Sequence, residues 1–119
     1  EKVYFPGLST HPGFDTHNRQ SSSAGAVLSF RLPNRSIAKS FVENIRIPVF
    51  AVSLGGVESI LSHPAQMSHA AMPKAEREKR GITEGLLRFS VGLENVDDLI
   101  ADFEQSLEIA SKQQEKVGI

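Results

Sequence analysis

The sequence predicts an α+β domain: a small, mostly antiparallel sheet with helices packed on one face. Three observations predict it. Two segments, 24–32 and 86–91, alternate apolar and polar residues, the period of a half-buried strand. Two others, behind Asn34 and Asn95, carry apolar residues at helical spacing. Several connections are too short and loop-like for regular parallel crossovers, which need about a dozen residues or more. At 119 residues the chain suits a single domain with one core.

Val3-Tyr4-Phe5 reads as a short strand stopped by the turn signal Pro6-Gly7. Residues 11–23 are polar, and any helix there lacks an apolar stripe. In the next strand Ala26, Leu28, Phe30 and Leu32 share one face, and Val27, Ser29 and Arg31 the other. Asn34 is an N-cap for a helix with Ile37, Ala38, Phe41, Val42 and Ile45 as its apolar stripe, closed by Pro48. Val49–Leu54 reads as a strand running into Gly55-Gly56, and 57–61 fits either a strand or one helical turn. Pro73 fits the first position of a helix over Lys74–Arg80, with Gly81 as its C-terminal cap and a weak Glu76–Arg80 pair on the solvent side. In the strand 86–91, Leu87, Phe89 and Val91 oppose Leu86, Arg88 and Ser90. Asn95 caps the last helix, Asp97 and Asp98 suit its positive end, and Val96, Leu99, Ile100, Phe103 and Leu107 form its expected buried stripe.

Composition excludes several functions. Thirteen basic residues face fourteen acidic ones, so no excess charge exists to neutralise phosphates and a nucleic-acid partner is not expected. No cysteine is present, which removes disulfides, thiolate metal sites and cysteine nucleophiles and fits a reducing compartment. No apolar run approaches the roughly 20 residues that span a bilayer, so no membrane partner is expected. The first residues lack a signal-peptide layout and an initiator methionine and begin as a strand under way. We therefore expect a piece of a longer, cytoplasmic protein.

Arg88 is the most informative residue. Mid-strand between Leu87 and Phe89, its guanidinium must reach solvent or meet an anion, and its planar donors match a carboxylate bidentately. Position alone favours the plainer reading, an arginine on a wet sheet face. Ser53-Leu54-Gly55-Gly56 places a hydroxyl and several N–H groups at a turn open to close approach. It lacks the pattern and lysine of a phosphate loop, and taken alone the Gly-Gly turn is structural. His11/His17 and His63/His69 are each six apart, which does not bring two imidazoles onto one helical face, so no metal site is expected. A serine-hydrolase elbow is missing, and Glu84 and Glu94 have no paired-carboxylate context. The residues by themselves lead to an α+β domain with a possible anion site.

Taken in order, further segments carry a resemblance: Val3-Tyr4-Phe5-Pro6-Gly7-Leu8; Ser53 to Ile60; His63-Pro64-Ala65; Met67 to Ala70; Gly81-Ile82; Leu87-Arg88-Phe89-Ser90-Val91-Gly92-Leu93-Glu94; and Asp97 to Ile100. The series resembles the C-terminal part of the Cys/Met-metabolism pyridoxal-phosphate (PLP) enzymes, which include cystathionine γ-synthase, cystathionine β- and γ-lyases and methionine γ-lyase. It covers almost the whole chain. It implies the C-terminal small domain of the fold-type I, transferase-like architecture, packed on a large PLP domain that is absent from this sequence. It also implies that Arg88 binds the α-carboxylate of an amino-acid substrate, and that Ser53, in its Val52-Ser53-Leu54 setting, helps to hold it.

The resemblance places the Schiff-base lysine and the other PLP-binding residues in the large domain. No lysine here takes that role; Lys39 and Lys74 lie on predicted exposed helix faces. The chain alone is expected to be catalytically silent, with no catalytic or cofactor-binding residue of its own, and the full-length enzyme to be a homotetramer. Val52 stands where several γ-synthases and γ-lyases have glutamate, and Ser68 to Pro73 is similar to cystathionine β-lyases of Gram-positive bacteria. Cystathionine β-lyase is therefore the expected activity, with γ-synthase, γ-lyase and methionine γ-lyase open. From other classes, a stand-alone amino-acid-binding regulatory domain and a plain interaction module compete; a surface without an apolar patch would favour the regulatory domain.

Overall fold

The computed structural model describes residues 2–117, with side chains to 113. Its elements are β1 (Lys2–Tyr4), α1 (Phe14–Gln20), β2 (Val27–Arg31), α2 (Arg35–Asn44), β3 (Val49–Phe50), β4 (Ile60–Ser62), α3 (Lys74–Lys79), β5 (Leu86–Ser90) and α4 (Val96–Val117). The strands form one sheet in the order β1-β2-β5-β4-β3. Neighbours are antiparallel except β3 and β4, which run parallel. The fold is α+β with a five-stranded mixed sheet.

The core follows the two periodicities. Phe30, Leu61, Leu87 and Phe89 face inward from β2, β4 and β5, and Ile37, Ala38 and Phe41 meet them from α2, with Leu99 and Ala110 from α4. Phe103 joins the layers: its ring lies 4.8 Å from that of Phe89 and 5.3 Å from that of Phe41, tilted or edge-on, arrangements that aromatic quadrupoles favour. Both expected caps are present. Asn34 Oδ1 accepts from the N–H of Ile37 at 3.0 Å, and Asn95 Oδ1 accepts from Asp97 and Asp98 at 2.9 and 3.2 Å. Helices α1 and α3 bury no residue, consistent with the missing stripe in 11–23.

Four expectations need correction. The strand expected over 49–54 is only Val49–Phe50, an exposed edge. Its neighbour β4 is three residues long, and after Ala51 donates to the Leu61 carbonyl the chain leaves the sheet. Of 57–61, only Ile60 and Leu61 join a strand, because residues 57–59 are held by Gly92, Leu93 and Glu94, just past β5. Pro73 precedes α3 as its N-cap, and Gly81, at φ 78°, follows the C-cap Arg80; the Glu76–Arg80 pair forms at 3.1 Å on the surface.

Helix α4 is turned differently from its expected stripe. Leu99 is buried and Phe103 half-buried, but Val96 is 63% and Ile100 52% exposed, and Leu107 is exposed as well. Asp102, Ser106 and Ala110 are buried instead. The helix is turned this way because Asp102 serves the end of α2. Its carboxylate accepts from the N–H of Arg46 at 3.0 Å and of Ile47 at 2.7 Å, backbone donors just past α2 that the ended helix no longer pairs. The outcome is an open apolar groove of about 550 Å³ whose lining includes Leu28, Phe89, Val91, Val96, Ile100 and Leu107.

Candidate functional site

The other face of the sheet carries the polar row. Register places Tyr4, Ser29, Arg88 and Ser62 side by side across β1, β2, β5 and β4. Since side chains alternate along a strand, burying Leu87 and Phe89 commits Arg88 to this face. Its head is not waving in solvent. Nη2 donates to the carbonyl oxygens of Val52 at 3.0 Å and Ser53 at 3.1 Å. Those bonds use Nη2 alone, and Nε is buried without a hydrogen-bond partner among the described residues. A buried donor left unpaired costs free energy until something accepts from it.

The loop under this arginine is held at several points. Gly55, at φ 77°, adopts a backbone shape that side-chain-bearing residues rarely take, and its N–H donates to Ser90 Oγ at 2.8 Å. Further on, Ser59 donates to Glu94 twice, from its N–H at 2.9 Å and its hydroxyl at 2.7 Å. Ser59 Oγ in turn accepts from the N–H of Gly92 at 2.9 Å. Hydrogen bonds from the backbone and then the hydroxyl of Ser59 hold the Glu94 carboxyl below its ordinary pKa.

Of the residues singled out from the sequence, Arg88, Val52 and Ser53 are brought together. Ser53 offers its carbonyl to Arg88, and Val52, Ser53 and Leu54 lie on an exposed loop beside it. The histidines take separate structural parts. His63 is buried, with its Nε2 2.7 Å from the Glu84 carbonyl oxygen; because a carbonyl only accepts, that nitrogen carries a proton. His11 Nδ1 accepts from the Gly13 N–H at 3.0 Å. Among the described residues no three His, Asp or Glu side chains gather to hold a metal, and no helix is long and apolar enough to cross a membrane.

Asp102 escaped the reading of the sequence, while Ser59, Ser90 and Glu94 entered it only as members of strand or motif segments, Glu94 also as an unsupported acid, with no positioning role. Arg77 escaped it too; it pairs with Glu84 at 3.0 Å and donates to the Met72 carbonyl at 3.0 Å, tying down the loop before α3. The available signal for Glu94 and Ser90 was their place just past and at the end of the strand that carries Arg88.

Against known proteins, a family model described as Cys/Met metabolism PLP-dependent enzyme matches residues 1–108. The chain belongs to that family. Cystathionine beta-lyase MetC of Bacillus subtilis is 67% identical over 107 residues, covering 90% of this chain and 27% of that protein. L-methionine gamma-lyase of Fusobacterium nucleatum subsp. nucleatum is 51% identical over 109 residues, covering 91% and 28%. Among solved structures, cystathionine gamma synthase from Xanthomonas oryzae pv. oryzae in complex with cystathionine superposes with a TM-score of 0.88 at 45% identity, covering 94% of this chain and 29% of that one. The chain thus spans less than a third of the length of these relatives.

Membership in the Cys/Met metabolism PLP family implies PLP, and the lysines among the described residues do not fit the role of holding it. A Schiff-base lysine needs an environment that lowers its pKa, by burial or a neighbouring cation. Lys39, Lys74 and Lys112 are instead exposed and paired with Glu43, Glu78 and Glu108, Lys79 is exposed, and Lys2 lies 4.9 Å over the Tyr4 ring. What these residues can do chemically is bind and orient an anion.

Proposed function

We propose that the chain is the C-terminal, substrate-carboxylate-binding domain of a PLP-dependent carbon–sulfur lyase that converts cystathionine and water to homocysteine, pyruvate and ammonia. The observation that carries this reading is Arg88. Its guanidinium is braced by two loop carbonyls, has a buried Nε with no partner, and pairs with no carboxylate among the described residues. Substrate carboxylate supplies the missing acceptor, and Ser53 and Leu54 border the place where it binds. PLP, held by the large domain of the longer enzyme, supplies the electron sink, and this domain supplies orientation.

Two further observations support the reading. The relative at 67% identity is a cystathionine beta-lyase, whereas the methionine gamma-lyase stands at 51%, and the neutral Val52 offers no charge to the distal amino group that a glutamate would attract. The open apolar groove between the sheet and α4 is the kind of surface a domain interface covers. It supports packing against the enzyme's own large domain over a stand-alone regulatory domain. The active enzyme in this reading is the full-length homotetramer that the resemblance implies, and the chain alone is inactive.

The test is steady-state kinetics of the full-length enzyme on cystathionine and methionine, wild type and Arg88→Ala. Cystathionine is expected to be the better substrate, and loss of the charge-assisted contact to lower kcat/KM on it by about a hundredfold or more. Turnover close to wild type in a folded Arg88→Ala enzyme would refute the clamp, and preference for methionine would reassign the activity to a γ-lyase.

A further inference from the structure

Arg88 leans on a loop that it does not hold in place alone. Resting on the carboxylate clamp proposed above, we infer that Glu94, acting through Ser59, and Ser90 are positioning residues that fix loop 52–59 against Arg88 and thereby set the affinity for the substrate carboxylate.

Three side-chain grips on the loop come from one stretch of chain, residues 88–94. Arg88 takes the carbonyls of Val52 and Ser53 where the loop leaves β3. Ser90, almost fully buried, takes the N–H of Gly55 at the turn. Glu94 takes the N–H and hydroxyl of Ser59, a fully buried serine, where the loop returns toward β4. Gly92 lies so close to the backbone of Val57, Glu58 and Ser59 that a Cβ there would run into it, and its own N–H closes the ring onto Ser59 Oγ. Leu93 adds a bond from its N–H to the Val57 carbonyl at 2.8 Å. Strand end and loop therefore move as one body.

That coupling matters for an anion. The carbonyls of Val52 and Ser53 are acceptors beside the guanidinium, and they would repel a carboxylate unless each stays on its Nη2 hydrogen. Holding them there keeps the rest of the fork directed at the ligand, a preorganisation that strengthens binding without touching the reacting bond. If Ser59 or Gly55 is released, the carbonyls wander and Arg88 follows them. Substrate affinity then falls, while the reaction of a substrate that does bind is little altered. Glu94 touches no substrate in this scheme.

The experiment measures KM and kcat for cystathionine in the full-length enzyme carrying Glu94→Ala, Glu94→Gln, Ser90→Ala or Arg88→Ala, with the thermal midpoint of each. Glu94→Ala and Ser90→Ala are expected to raise KM about tenfold with kcat within about threefold of wild type. Glu94→Gln, which keeps one acceptor oxygen for Ser59, falls between. A purely structural role would lower the midpoint and the yield of active enzyme and leave KM alone; unchanged KM in Glu94→Ala and Ser90→Ala beside an impaired Arg88→Ala overturns the inference. Should Glu94→Ala not fold, Ser90→Ala and Glu94→Gln decide by the same criterion. If Arg88→Ala leaves kcat/KM for cystathionine unchanged, the clamp itself falls and takes the positioning role with it.

Discussion

Asp102 shows how one buried residue redirects an element. Both its oxygens accept from the N–H of Arg46, one also accepts from Ile47 at 2.7 Å, and the other from Gln105 Nε2 at 3.0 Å. Asp102→Asn keeps the shape but turns an amide N–H₂ toward donors. Leaving buried donors unmatched should cost about 2 kcal/mol or more, read as a lower urea midpoint at unchanged m-value. Glu94 behaves differently because it is solvent-accessible and held below its ordinary pKa by Ser59. A carboxyl with a depressed folded pKa stabilises above its unfolded value and loses that contribution as pH falls through the folded one. Wild type should therefore melt above Glu94→Gln at neutral pH. The gap should close as pH drops below the ordinary glutamate range of about 4.3, and a gap constant down to pH 2 would contradict the assignment.

At the scale of elements, caps and strand periods were legible because they depend on neighbours in sequence. Asn34 caps α2 as its position promised, with Oδ1 3.0 Å from the Ile37 nitrogen. Asn34→Ala should cost about 1 kcal/mol, measurable by denaturant titration of the chain. Leu87 and Phe89 alternate with Arg88 as read, and the structure buries the first two and commits the third to the opposite face. Elements whose limits depend on distant partners were not legible. The strand from Val49 stops at Phe50 because β4 offers it so little edge. The loop that follows is shaped by Arg88, Ser90 and Glu94, more than thirty residues away in sequence. Parallel pairing of β3 with β4, across a connection without a helix, likewise has no local signature.

For the molecule as a whole, the unclosed side of the core is the informative feature. Val96 and Ile100 were expected inside and stand exposed beside the groove. If the large domain covers them, changing both to serine should leave the melting temperature of chain 1–119 nearly unchanged, since exposed substitutions cost within about 0.5 kcal/mol. The same change should lower that of the full-length enzyme by several degrees. An equal loss in both would mean that the groove belongs to this domain's own core.

The sequence by itself determined the α+β class, the caps of α2 and α4, the inward faces of β2 and β5, and the family, whose motifs keep their order along almost the whole chain. These are properties of residue period and of neighbours a few positions apart, which need no knowledge of what packs where. Tertiary structure alone decided that Glu94 and Ser90 grip the loop beside Arg88, and that Asp102 turns α4 so that half its apolar stripe faces outward. Both outcomes rest on buried backbone N–H groups finding acceptors far away in the chain, and that accounting closes only when the chain is folded.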